Sequence, residues 1–333
     1  MRVSLPSDCA ATIPRVRLLL PCLVLAAAIG CGADVPTEPP KATPNFVRVQ
    51  SDAGDFVGGG RLYEYSQANA ILRVQASDHL SLRIEGDQTW QMDAIIPGGV
   101  PLRPGTYPNL ARYGFGSTPS LAWSGDGRGC NTSTGTLTID SVTYVDGALA
   151  AIDFHVKQHC ENATPALRAT IHWRADDPTA PPGPITPVPD RLWTPAPGST
   201  PASGNYVALF SDAGDWIGQG FAETFTTAIV VSSSGNRLTI QAGGYTGRFQ
   251  AMLGTTPVAV GYYPDLRRYP FHNPIKGGLD WSGNGRGCNT LTGWFVVDRI
   301  VHVGTTVSAL DLRFEQHCEG GAPALRGAIH WNG

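Results

Sequence analysis

The chain has 333 residues, of which 42% are hydrophobic and only 15% charged, with 40 glycines and 27 prolines. This composition excludes a disordered chain, which would be poorer in apolar residues and richer in charge, and points to a folded, turn-rich protein. A net charge of −3 with no basic block leaves no electrostatic footprint for nucleic acid, and the length permits two domains.

Arg2, Arg15 and Arg17 precede a twelve-residue apolar stretch, Leu18 to Ile29. A positive segment followed by an apolar run too short to span a bilayer is the pattern of a signal peptide, here residues 1–30. Ala28-Ile29-Gly30-Cys31 resembles the lipobox of bacterial lipoproteins. The resemblance implies cleavage before Cys31 and acylation of its thiol, and two or three buried acyl chains, at about 0.8 kcal/mol per CH₂, anchor stably in a membrane. Gly32, where an Asp would otherwise follow the cysteine, resembles the outer-membrane sorting pattern of a diderm host. An ordinary secretory cleavage that leaves Cys31 spare is the alternative. Loss of residues 1–30 removes three arginines and one aspartate and leaves 21 basic and 26 acidic groups.

A tether follows at 31–44, with four prolines in residues 32–44. Beyond it the chain duplicates itself, Phe46 to Trp173 matching Tyr206 to Trp331. SDAGD at 51–55 recurs at 211–215, Arg112-Tyr113 and Phe115 recur as Arg268-Tyr269 and Phe271, and WSGDGRGCNT at 123–132 recurs as WSGNGRGCNT at 281–290. The offset changes from 160 to 156 to 158, which places the length differences in loops. Copies of this size are too long for solenoid units and suit two domains, 45–174 and 205–333.

Within each copy the periodicity is that of strands. TLTIDSVTYV (136–145) and ALAAIDFHVKQHC (148–160) flank Asp146-Gly147, a pair suited to a two-residue hairpin turn. ALRATIHW (166–173) alternates apolar and polar residues, and no twelve-residue window carries a helical stripe. The expected architecture is all-β: two tandem antiparallel β-sandwich or open-barrel domains joined by a Pro-rich linker. That linker, residues 175–204, holds nine prolines and reads as a semi-rigid polyproline II spacer. Trp193 within it is expected to dock on one of the domains. Trp123, Trp281, Trp173 and Trp331 are matched between copies and read as core, whereas Trp90, Trp216 and Trp294 are unmatched and read as exposed.

Cys9 and Cys22 leave with the signal, so each domain keeps two cysteines, Cys130 with Cys160 and Cys288 with Cys318, each pair 30 positions apart. If residues 145 and 148 pair at the turn, Cys160 falls opposite position 133, close enough to Cys130 for a disulfide. A zinc site using Cys130, His159 and Cys160 is disfavoured, because adjacent His and Cys point to opposite faces of a strand.

Several polar residues are candidate ligand contacts. His159, Arg168 and His172, with His317, Arg326 and His330 in the second copy, fall on one strand face and could bind an anion, or form a solvated face of mutually neutralised charges. Pairing Cys160 near Leu167 would place His159 opposite Arg168 and His155 opposite His172. Arg128 and Arg286 could fork toward a ligand or pair with Asp55 and Asp215. Asp52, Asp55, Asp212 and Asp215 supply oxygens for calcium, although turn chemistry explains them without a metal. No cofactor other than calcium is indicated, and no nucleophile elbow, zinc-protease helix, phosphate loop or dinucleotide fingerprint is present.

The segments SDAGDWIG, GRGCNTLTG and FEQHCEGGAPALRG resemble a repeat that recurs, singly or in tandem, in secreted and lipid-anchored bacterial proteins. The resemblance covers nearly all of both copies and implies an extracytoplasmic module. It brings no activity, cofactor or catalytic residue with it. The first copy departs from it slightly, with Ser133 for Leu291 and Lys157 for Glu315. The expectation is an envelope lipoprotein held to the membrane by its lipid anchor. Its two modules would bind a polysaccharide, a cell-wall polymer or another envelope protein. A secreted hydrolase using the outer-face Asp, His and Arg set, or a purely structural surface protein, is the alternative.

Overall fold

A computed structural model describes residues 43–114 and 119–333. The signal peptide at 1–30, Cys31, the tether as far as residue 42 and Phe115 lie outside the described residues.

Among the described residues every regular element is a strand. The first sheet contains β1 (Phe46–Ser51), β2 (Leu62–Ser66), β3 (Ile71–Ala76), β4 (Leu80–Glu85), β5 (Thr89–Ile95), β6 (Gly105–Arg112), β7 (Ser120–Gly125), β8 (Ser133–Val145), β9 (Ala148–Cys160) and β10 (Ala166–Arg174). The second contains β11 (Tyr206–Ser211), β12 (Ala222–Phe225), β13 (Val230–Ser234), β14 (Arg237–Ala242), β15 (Tyr245–Gln250), β16 (Gly261–Arg268), β17 (Gly278–Gly283), β18 (Leu291–Val303), β19 (Thr306–Cys318) and β20 (Leu325–Asn332).

The strand order in the first sheet is β2-β1-β10-β9-β8-β6-β7-β5-β4-β3, and the second repeats it from β12 to β13. The first sheet curls until its edge strands β2 and β3 approach each other, a nearly closed barrel. The second is a half-barrel whose edge strand β13 leans onto the β18–β19 turn, where Ser233 Oγ donates to Thr305 O at 2.6 Å. The ladders are antiparallel except for β6 with β7 and β16 with β17, which run parallel through two residue pairs each.

Alternation makes these strands. Leu80, Leu82 and Ile84 on β4 are buried while Ser81, Arg83 and Glu85 are not, which is the period-2 pattern of a sheet with one face on a core. On β9, Ile152, Phe154, Val156, Gln158 and Cys160 point inward. Trp123 and Trp281 are fully buried in their two cores, as expected, and Trp173 and Trp331 pack at the core margins. Trp90, expected on the surface, is fully buried and donates through Nε1 to Tyr65 Oη at 2.7 Å. Its strand places it on the inner face, where the second copy has Tyr245.

The β8–β9 hairpin turns on Asp146 and Gly147, at φ +50° and +80°, the left-handed pair that a two-residue turn demands. Ser133 then stands opposite Cys160, as expected from the turn. The match survives because two register shifts along the ladder, one on each strand, cancel. Cys130–Cys160 and Cys288–Cys318 are disulfide-bonded, with Cα atoms 5.1 and 5.0 Å apart.

One buried polar residue organises each copy. Because β7 meets β6 only through Ser120 and Leu121, Trp123 would be left with unpaired backbone groups inside the protein. The Gln158 amide fills the gap, accepting from Trp123 N at 2.6 Å and donating to Trp123 O at 2.9 Å. Gln316 does the same for Trp281 at 2.9 and 2.8 Å.

The Pro-rich segment is strapped down rather than free-standing. At its start Asp177 accepts from Asn45 N at 2.6 Å, and Gln67 Nε2 donates to Thr179 O at 3.3 Å. Farther along, Ile185 and Tyr262 exchange backbone hydrogen bonds of 2.9 and 3.0 Å. Trp193 docks on the second copy, its ring 5.4 Å from that of Phe210 and its carbonyl accepting from Arg313 at 2.8 Å. Fixed prolines cost little entropy to immobilise, so a few such contacts suffice to hold the segment.

Candidate functional site

On the polar strand face each candidate side chain is engaged within its own copy. Register differs from expectation by two residues: His159 faces Ala166, Arg168 faces Lys157, His155 faces Thr170 and His172 faces Asp153. The cause is the loop between β9 and β10. It enters through Glu161 and Asn162, both at positive φ (51° and 58°), and is pinned where Asp52 N donates to Ala166 O at 2.9 Å and Asp52 Oδ2 accepts from Ala166 N at 3.0 Å.

His172 therefore pairs through Nδ1 with Asp153 Oδ1 at 2.7 Å and stacks on Phe46. His330 repeats the arrangement with Asp311 at 2.5 Å and Tyr206. Asp153 also accepts from Arg174 Nη2 at 2.7 Å and Ser141 Oγ at 2.6 Å. Burial pushes the Asp153 carboxyl upward, but the bonds from Arg174, Ser141 and His172 outweigh it and hold it at about 2. Arg168 reaches Asp52 Oδ1 at 2.6 Å, and Arg326 bridges Asp212 at 2.8 Å and Glu315 at 2.5 Å. His159 and His317 donate through Nδ1 to the carbonyls of Ala163 and Ala322, at 3.1 and 3.0 Å. Each of these six side chains has a partner from its own copy, and Lys157, exposed on the same face, stands opposite Arg168.

Arg128 and Arg286 lie near the SDAGD loops but do not pair with Asp55 and Asp215, because those carboxylates turn inward. Arg128 sits 5.9 Å over the Trp90 ring and 3.4 Å from Asp126, and Arg286 donates to Ile217 O at 2.7 Å and Tyr245 Oη at 3.1 Å.

The SDAGD loops themselves are built identically. Asp55 Oδ2 accepts from Ser51 Oγ and Gly58 N, both at 2.7 Å, and Ser51 Oγ accepts from Gly60 N at 3.0 Å. Asp215 holds Ser211 and Gly218 in the same way, at 2.9 and 2.7 Å. A Cβ on Gly58 or Gly218 would overlap that serine, so the close approach requires glycine. Asp52 and Asp212 are engaged by Arg168 and Arg326, and the arginine bond is the leading reason each carboxyl lies below the usual range. Asp55 Oδ1 and Asp215 Oδ1 are buried with no protein donor in reach. Among the described residues no group of three or more His, Cys, Asp or Glu is placed to hold a metal ion.

What this frame presents outward is an aromatic ring. Phe56 follows SDAGD in the first copy and is 60% exposed, and Trp216 follows it in the second and is 57% exposed. Sequence reading found Trp216 but missed Phe56, since only unmatched tryptophans were weighed; the signal was the aromatic retained at this one loop position. Trp294 is half-buried, with Nε1 donating to Glu315 at 3.3 Å.

Beside the first disulfide, Asp93, Tyr113, Ser133 and Gln158 line a polar hollow of about 150 Å³. In the second copy Leu291 replaces Ser133 and is itself buried.

Comparison of the chain with models of protein families, with curated proteins and with solved structures finds no match. The class of protein defined by fold and loops is a tandem all-β module with paired aromatic loop tips.

Proposed function

We propose that this protein is an envelope-anchored lipoprotein whose two β-modules bind a repeating extracytoplasmic polysaccharide or cell-wall polymer through their loop tips. The observation that carries the reading is the recurrence of one rigid loop frame with an exposed aromatic ring at the same position, Phe56 and Trp216. An exposed ring on a hydrogen-bonded frame costs stability without helping the core, and offers a flat apolar surface to a sugar face at little entropic cost. The two disulfides suit an oxidising compartment, and the lipobox-like segment at Cys31 supplies the anchor. Asp52 and Asp212 are taken up by arginines and Asp55 and Asp215 turn inward, an arrangement that favours binding without calcium.

The test is a glycan and cell-wall-polymer array probed with the full chain in detergent, in calcium and again in chelator. Binding equal in both conditions, and weakened about tenfold or more by Phe56→Ala with Trp216→Ala, is expected. Binding abolished by chelator, or untouched by the double substitution, overturns the loop-tip reading. Replacing Cys31 with Ser is expected to release the protein from membranes, and persistent association overturns the anchor.

A further inference from the structure

The two copies meet where the β4–β5 turn of the first reaches a loop of the second. Asn273 Nδ2 donates to Asn69 O at 2.8 Å and Asp87 Oδ1 at 3.1 Å, and Lys276 Nζ lies 2.8 Å from Asp87 Oδ2. Burial pushes the Asp87 carboxyl up, but Lys276 and Asn273 more than offset this, so Asp87 is held ionised with its charge already answered.

Alongside this contact runs an open groove of about 380 Å³, lined by Asp87 from the first copy and Arg267, Arg268, Phe271 and Asn289 from the second. Phe271 is 77% exposed, the most exposed large apolar side chain among the described residues. The Arg268 guanidinium lies 5.4 Å from its ring centroid, touches protein otherwise through a 3.3 Å bond to Asn289 O, and has its Nε buried without a partner. Arg267 is exposed beside it. The nearby Glu319 carboxylate is turned onto Asn289 N at 2.5 Å and Thr290 N at 3.2 Å. Positive charge therefore exceeds negative in the groove, next to an uncovered aromatic face.

The first copy does not reproduce this arrangement. Arg112 makes the bond equivalent to that of Arg268, to Asn131 O at 3.3 Å, but Ala111 stands where the second copy has Arg267. The groove needs both copies, so it is a product of their docking.

We propose that the junction groove binds a carboxylate-bearing sugar of an acidic polysaccharide. The apolar face of a hexuronate ring covers Phe271, its carboxylate is forked by Arg267 and Arg268, and its hydroxyls meet the polar rim. A planar guanidinium pair matches a carboxylate, and a ligand both anionic and flat-faced satisfies the whole groove as a neutral sugar does not. The inference takes its ligand class from the polysaccharide reading above, but it does not use the Phe56 and Trp216 tips.

The experiment is isothermal titration of the full chain in detergent with hexagalacturonate and, separately, with its fully methyl-esterified counterpart. Binding of the acid, at least tenfold weaker binding of the ester, and roughly tenfold losses in Phe271→Ala and in Arg267→Ala are expected. Both side chains are exposed, so the variants keep the fold, and circular dichroism checks that they do. No heat at roughly millimolar hexagalacturonate, equal binding of acid and ester, or wild-type affinity in both variants overturns the groove. Loss of hexagalacturonate binding only in Phe56→Ala with Trp216→Ala also overturns it while sustaining the loop tips, and the reverse pattern overturns the tips alone.

Discussion

Phe314 on β19 lies directly across from Gly327 on β20, and its ring fills the space a Cβ on Gly327 would need. In the first copy the same ladder position pairs Val156 with Ala169. The duplicated cores have redistributed volume between two facing residues, from medium with small to large with none. Gly327→Ala alone is expected to destabilise the second copy by about 1–3 kcal/mol through overpacking. Adding Phe314→Val recreates the pair of the first copy and recovers most of the loss. Urea unfolding of the two variants checks this, and a double variant no more stable than Gly327→Ala would reject volume exchange as the cause.

Gln158 offers a sharper test of polar accounting. Gln158→Leu keeps the side chain's bulk but strips both partners from the backbone of Trp123, leaving a buried N–H and C=O unmet. The expected loss is about 2–4 kcal/mol, well beyond that of an apolar swap of equal volume at Ile152. Amide hydrogen exchange at Trp123 should accelerate in step, whereas protection unchanged there would mean that water replaces the amide.

Each disulfide closes a loop with a sequence separation of 30. On chain-entropy grounds, replacing Cys130 and Cys160 together by serine removes about 3.5–4 kcal/mol, and the same is expected for Cys288 with Cys318. Thermal unfolding of the two double variants reads this directly, and a loss in only one copy would show that the copies do not rely on their bridges equally.

Asp153 gives the stability a defined acid limb. Its folded value of about 2 lies below the ordinary 3.8, so the stabilisation is present above pH 3.8 and disappears as the pH falls from there toward 2. The difference between the native chain and Asp153→Asn is expected to be about 1–2 kcal/mol near neutrality, after allowance for partial exposure, and to vanish by roughly pH 2. Denaturant midpoints measured across that range check it, and a difference independent of pH would mean the loss is one of packing.

Local features were legible in the sequence, and long-range ones were not. Asp146-Gly147 announces its turn because its two residues tolerate positive φ, and from that turn the position of Cys160 opposite Ser133 follows by counting. Counting failed one connection later, where the five residues after Cys160 set the β9–β10 register through backbone geometry and through Asp52, which lies more than a hundred residues upstream. Trp90 was misplaced because only its missing counterpart was weighed, although its alternation with Met92 and Ala94 against Gln91 and Asp93 marks the inner face. Gln158 escaped notice although QHC appears in both copies, since nothing local reveals that β7 lacks a neighbour at Trp123. Asn273 and Asp87 are 186 positions apart, beyond any periodicity that a single chain displays.

The strapped linker has a consequence for any ligand that engages both loop tips. Two sites on a loose leash accept any spacing, at an entropic penalty that rises with the length of the leash. Here the linker is bonded to both copies and the copies are bonded to each other, so Phe56 and Trp216 are held at one separation. Under the proposed polymer binding the molecule would act as a gauge: a polymer would be gripped twice only when some multiple of its own repeat equals that separation, and affinity plotted against oligomer length would climb in a single step at the length that first spans it.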